Sequence, residues 1–123
     1  MCDKVAKAAA EWWIEQMKKR CTTLYPNRII KDRTGFVITD NILGEELSRF
    51  QKNLTNELRN KLLKARFVYL GCSYTPDSML LDIAKQSKIP ISYFPIHADM
   101  EIHHMSIRVS SGESDLHELH FST

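Results

Sequence analysis

The sequence predicts an α+β domain in which N-terminal helices pack on a small, mainly antiparallel sheet. Two observations carry this. Up to about residue 64 the apolar residues recur every third or fourth position, the repeat of a helix, and after Pro90 they alternate with polar ones, the repeat of a strand. The chain has 123 residues, 43% hydrophobic and 26% charged. That length suits one core burying roughly two-thirds of the unfolded surface, so residues 1–123 read as a single domain.

The first helix is expected from Lys4 to about Arg20. Asp3 is a good N-cap, and Val5, Ala8, Ala9, Trp12, Trp13, Met17 and Cys21 form the apolar stripe. Glu11 and Glu15 precede Lys18, Lys19 and Arg20, the charge order that the helix dipole favours. Residues Thr22 to Leu43 contain Pro26, Asn27, Gly35, Asp40 and Asn41, which reads as a long loop with one short strand, Phe36–Thr39. A second helix is expected from Glu45 to about Lys64, with Leu47, Phe50, Leu54, Leu58 and Leu62 on one face. Phe67, Val68, Tyr69 and Leu70, ended by Gly71, read as a buried strand. Thr75 as cap, Pro76 in the first turn and Asp77 near the dipole then open a short third helix, with Met79, Leu80, Ile83 and Ala84 inside and Lys85 and Lys88 at its end. Beyond Pro90 the alternation begins at Ile91 and Tyr93 and continues over Ile102–Val109 and Leu116–Phe121. A bulge is expected near His103 and His104, and a turn over Ser110–Asp115. The expected core comprises Trp12 or Trp13, Met17, Leu47, Phe50, Leu54, Leu58, Val68, Leu70, Leu81, Ile107 and Leu119.

Seventeen basic and fifteen acidic residues leave a formal charge of +2, too little to act as a whole-molecule field on nucleic acid or a membrane. Three cysteines, Cys2, Cys21 and Cys72, are an odd, irregular set that reads as free thiols in a reducing compartment, so a cytoplasmic protein is expected. The first residues lack the pattern of a signal peptide, and no run of eighteen apolar residues would span a bilayer.

All five histidines fall within the last 27 residues, and imidazole with carboxylate is what zinc or iron selects. The metal candidates are His97, Asp99, His103 and His117. His103 and His104 face opposite sides of a regular strand, as do His117 and His120, so polar histidines on a solvated sheet face are the expected reading, with no cofactor. Cys72, between a strand and a helix N-terminus, is the one candidate nucleophile. Around Tyr25 the residues Lys18, Lys19, Arg20, Arg28, Lys31 and Arg33 make a basic region, diluted by Glu11, Glu15 and Asp32, so nucleic acid is not favoured. No glycine-rich phosphate loop, paired-cysteine metal knuckle or serine elbow is present.

The run Tyr69, Leu70, Gly71, Cys72, Ser73, Tyr74, Thr75, Pro76, Asp77, then Leu80, Leu81, Ile83, Ala84, Ile89, Phe94, Pro95, Ile96, His97 and Met100, resembles a family of small proteins encoded in phages, prophages and other mobile elements of Gram-positive bacteria. The opening Ala9, Ala10, Glu11, Trp12, Trp13 is similar to their N-terminal helix. Relatives commonly carry a tryptophan near Ile96 and a lysine near His97, and this chain departs from both. The resemblance implies a genomic setting rather than an activity. In that setting small proteins without enzymatic motifs are often inhibitors of host defence, such as anti-CRISPR proteins. The expected function is therefore a non-enzymatic, protein-binding accessory protein that contacts a bacterial partner through Trp13, Lys19, Arg20, Tyr25 and Phe121. The alternative is a small metal- or thiol-dependent enzyme using the C-terminal histidines or Cys72. An outer strand at the C-terminus would leave backbone groups unpaired, so a homodimer is expected as well.

Overall fold

The computed structural model describes residues 3–31, 37–39, 41–110 and 116–120. Among these residues three α-helices, α1 (Asp3–Leu24), α2 (Asn41–Lys64) and α3 (Ser78–Ser87), accompany seven strands. Strands β1 (Ile29–Lys31) and β2 (Val37–Thr39) pair antiparallel as a separate small ribbon. Strands β3 (Phe67–Ser73), β4 (Thr75–Pro76), β5 (His97–His103), β6 (Ser106–Ser110) and β7 (Leu116–His120) form an antiparallel sheet in the order β4-β3-β5-β6-β7. The expected class, helices packed on a small antiparallel sheet, is the class observed.

One face of that sheet is the floor of the core. Val68, Leu70, Cys72, Ala98, Met100, Ile102, Ile107 and Val109 alternate along three strands and are all buried. From α2 come Leu43, Leu47, Phe50, Leu54, Leu58 and Leu62, all buried, and from α1 Val5, Ala6, Ala9, Ala10, Trp13, Ile14 and Met17. Alanines at three of those α1 positions, Ala6, Ala9 and Ala10, allow a close backbone approach. Asp3, read as the cap of α1, is the first described residue of that helix, and its carboxylate pairs with Arg59 of α2 at 2.7 Å.

Several expectations on local structure are corrected. Helix α1 runs three residues past Cys21, and Thr22 returns its hydroxyl to the Lys18 carbonyl at 2.8 Å. The segment read as a loop with one strand holds the β1–β2 ribbon, and α2 starts at Asn41 because Leu43 extends its buried stripe across Gly44. Thr75 and Pro76 are a strand paired with Ser73 and Cys72, so the cap of α3 falls to Asp77, whose Oδ1 accepts from Leu80 N at 2.9 Å. Leu80, not Leu81, is then the buried leucine of that helix. Ile91 and Tyr93 lie in a 3₁₀ turn rather than a strand. The stretch Ile102–Val109 is no bulged strand but a hairpin, reversing at His104 and Met105 so that Ile102 faces Ile107. The expected pairing of the last two strands is present, Ile107 opposite Leu119. Phe36, Arg33, residues 111–115 of the turn expected over Ser110–Asp115, Phe121 and the side chain of Leu119 lie outside the described residues.

Polar ties lock the helical layer. Arg28 pairs with Glu46 at 2.8 Å, and the Tyr93 hydroxyl donates to the same Glu46 oxygen at 2.9 Å. Between α2 and α3, Asn53 donates to the Ser87 hydroxyl at 3.0 Å and Arg49 Nε to the Ser87 carbonyl at 3.1 Å.

Candidate functional site

The opposite face of the five-stranded sheet is not covered by the helices. Its positions follow the pleat: Phe67, Tyr69, Gly71 and Ser73 on β3 stand beside His103, Glu101, Asp99 and His97 on β5, and Glu101 stands beside Arg108 on β6. The alternation is strict because each strand puts successive side chains on opposite faces. Phe67 and Tyr69 are 53% and 55% exposed, and Tyr74, just beyond β3, is 78% exposed. The sequence predicts a strand buried throughout Phe67 to Leu70. Only its aliphatic half is buried, and its aromatic half is presented to solvent.

These side chains are held rather than loose. The Phe67 ring stacks on His103 with centroids 5.6 Å apart, and His103 Nε2 meets Glu101 at 2.8 Å. Tyr69 donates its hydroxyl to Asp99 Oδ1 on the neighbouring strand. To do so its ring lies across Gly71, where an added Cβ would come within 2.6 Å of the Tyr69 hydroxyl. The glycine read as the end of the strand is thus what lets the ring cross it. Tyr74 has a φ of 64°, a left-handed conformation that costs a bulky residue about 1–2 kcal/mol. Its N–H donates to the Ile96 carbonyl at 2.7 Å, and its ring meets His97 edge-on at 4.8 Å.

The bond to Asp99, helped by partial burial, pushes the Tyr69 phenol up to about 12. An ordinary phenol ionises near 10, so the fold favours the protonated form, and the linked stabilisation is complete below pH 10 and lost as the pH rises toward 12. Gly71→Ala should swing the ring off the strand with little change in melting temperature, since only a side-chain end must yield. The expected result is a Tyr69 ionisation shifted back toward 10. Ultraviolet titration of tyrosinate, with Tyr69→Phe to assign the step, measures it, and an unmoved high step would show that the ring does not need Gly71.

The other expected site residues are dispersed. Trp13 is in the core, fully buried, and the half-buried tryptophan at the surface is Trp12, meeting it edge-on at 5.2 Å. Assigning the partner contact to Trp13 is thereby corrected, because a closed core leaves it nothing outside to touch. Tyr25 is stitched inward, its hydroxyl 2.9 Å from Ser92 Oγ and its ring edge-on to Tyr93. Lys19 is exposed, while Arg20 is half-buried with its Nε enclosed and unpaired among the described residues. Phe121 lies outside the described residues.

Of the metal candidates, His97, Asp99 and His103 share the outer face of β5, engaged by Tyr74, Tyr69 and Glu101 respectively. Among the described residues no three groups of ligand type converge. The side chain of His117 lies outside the described set, and the register places it opposite Val109. Cys72 is buried and donates to the Pro95 carbonyl at 2.9 Å. Burial, then the charges of Asp77 and Asp99, push its thiol up to about 11, which withholds the thiolate that a nucleophile needs at neutral pH. Cys21 is likewise buried and raised to about 11, chiefly by burial.

No helix among the described residues is long and apolar enough to cross a membrane. Neither a family model nor a curated protein matches the chain.

Proposed function

We propose that this chain is a non-enzymatic binding protein that docks on a larger bacterial protein through the outer face of its sheet. One observation carries the reading: Phe67, Tyr69 and Tyr74 stand more than half exposed on one uncovered surface, each fixed by a neighbour. Aromatic side chains that are already ordered lose little rotamer entropy on contact, and tyrosine is among the residues that dominate interface energies. The raised thiols of Cys21 and Cys72 weigh against the thiol-enzyme alternative. The sequence resemblance supplies the setting, an accessory protein of a phage or other mobile element whose target is a bacterial defence effector.

A photo-cross-linking residue placed at Phe67 should capture a protein from a Gram-positive lysate, whereas the same residue at Lys52, exposed on α2, should not. Capture from position 52 with none from position 67 would overturn the assignment of the face, and capture from neither would remove the support for action by contact.

A further inference from the structure

We propose that the segment received by this face carries arginine or lysine side chains. The inference rests on the contact reading above and names the chemistry of the partner. Across the sheet, the register sets Tyr69, Glu101, Arg108 and Glu118 in one row, with Asp99 beside it on β5. At about 4.8 Å per strand this row is roughly 14 Å long, enough for a short extended peptide. Counting histidine as neutral, the described residues of this face hold three carboxylates, Asp99, Glu101 and Glu118, against one guanidinium, that of Arg108, itself 4.0 Å from Glu118. The whole chain carries +2, so an acidic surface here reflects segregation of charge, not a generally acidic protein. The basic residues Lys18, Lys19 and Arg20 lie on α1, which packs on the other face of the sheet, and Arg66 stands just before β3.

Aromatic rings interleaved with carboxylates are what a guanidinium or ammonium group recognises, through the ring face and a charge-assisted hydrogen bond together. Tyr69 and Asp99 are bonded to each other, so ring and carboxylate are set in place before a ligand arrives. Glu101 is similarly set by His103, which stacks on Phe67. A nucleic-acid strand also stacks on aromatic rings, but its phosphates would meet these carboxylates, which favours the cationic peptide over it. Tyr74 keeps its exposed ring in a conformation that glycine adopts without strain, so Tyr74→Gly should leave the fold intact or firmer while weakening binding.

The test is an amide-resolved NMR titration of the full chain with three probes: the peptide GRGRGRGRG, its glutamate counterpart GEGEGEGEG, and single-stranded decathymidylate. The arginine peptide should shift amides of residues 67–74 and 97–103, bind more weakly as salt is raised, and lose about tenfold in affinity in Asp99→Asn/Glu101→Gln, a variant to be checked for an unchanged melting curve. Tyr74→Gly should lose several-fold. Equal binding of the glutamate peptide, or binding of decathymidylate at these residues, overturns the cationic partner yet leaves the face as a docking surface. Shifts confined to the helices overturn both readings. No shift with any probe overturns the cationic partner, and cross-linking from position 67 then decides the contact reading separately.

Discussion

Phe50→Ala should lower the melting temperature by roughly 12–20 °C. Phe50 is fully buried at the centre of the α2 stripe and meets Phe94 edge-on at 5.5 Å, so truncation removes apolar contact from two elements at once. Phenylalanine-to-alanine changes in cores cost ~3–5 kcal/mol, and a domain of this size loses about 4 °C per kcal/mol. Leu54→Ala, one turn further along the same stripe and equally buried, should cost ~2–5 kcal/mol. Leu63, 78% exposed on the other side of α2, is the control, and its alanine variant should stay within about 0.5 kcal/mol of the parent. Thermal unfolding followed by circular dichroism measures all three. Equal melting of the Phe50 and Leu63 variants would show that α2 does not pack on the face assigned to it.

The stripe behind that result was readable because helical periodicity is local: Leu47, Phe50, Leu54, Leu58 and Leu62 define their face without reference to anything else. Where the reading failed, a tertiary contact decided. Gly44 looks like a stop by propensity, but Leu43 is buried and continues the helix past it. His104 and Met105 carry no turn signature, so the β5–β6 reversal looked like a bulge in one strand. The outer face was half legible. In Phe67–Leu70 aromatic and aliphatic residues alternate, and in His97–His103 polar residues alternate with Ala98, Met100 and Ile102, a period of two that was present in the sequence. Which half is covered depends on where α1 and α2 lie, and that is set by long-range packing. The left-handed backbone at Tyr74 has no sequence signal, since tyrosine rarely adopts it.

The cap of α3 gives the second large effect, because Thr75 and Asp77 are both competent caps and only the pairing of Thr75 with Ser73 separates them. Asp77 uses both carboxylate oxygens: Oδ1 accepts from Leu80 N at 2.9 Å and Oδ2 from Gly71 N at 2.8 Å. Its own N–H donates to the Gly71 carbonyl at 2.9 Å, so the start of α3 is clamped to β3. Asp77→Ala removes the cap, worth ~0.5–2 kcal/mol, and leaves the N–H of the buried Gly71 without its acceptor, a further ~1–3 kcal/mol. Together these should lower the melting temperature by about 6–20 °C. Asp77→Asn separates the two contributions. An amide oxygen can still cap Leu80 N, but the amide nitrogen then faces the Gly71 N–H, donor against donor, so this variant should lose about the Gly71 share alone. Hydrogen exchange locates the damage: in Asp77→Asn the Gly71 amide should exchange faster while the Leu80 amide stays protected, and in Asp77→Ala both should quicken. Protection of the Gly71 amide in both variants would show that Oδ2 is not its acceptor and that the clamp between α3 and β3 lies elsewhere.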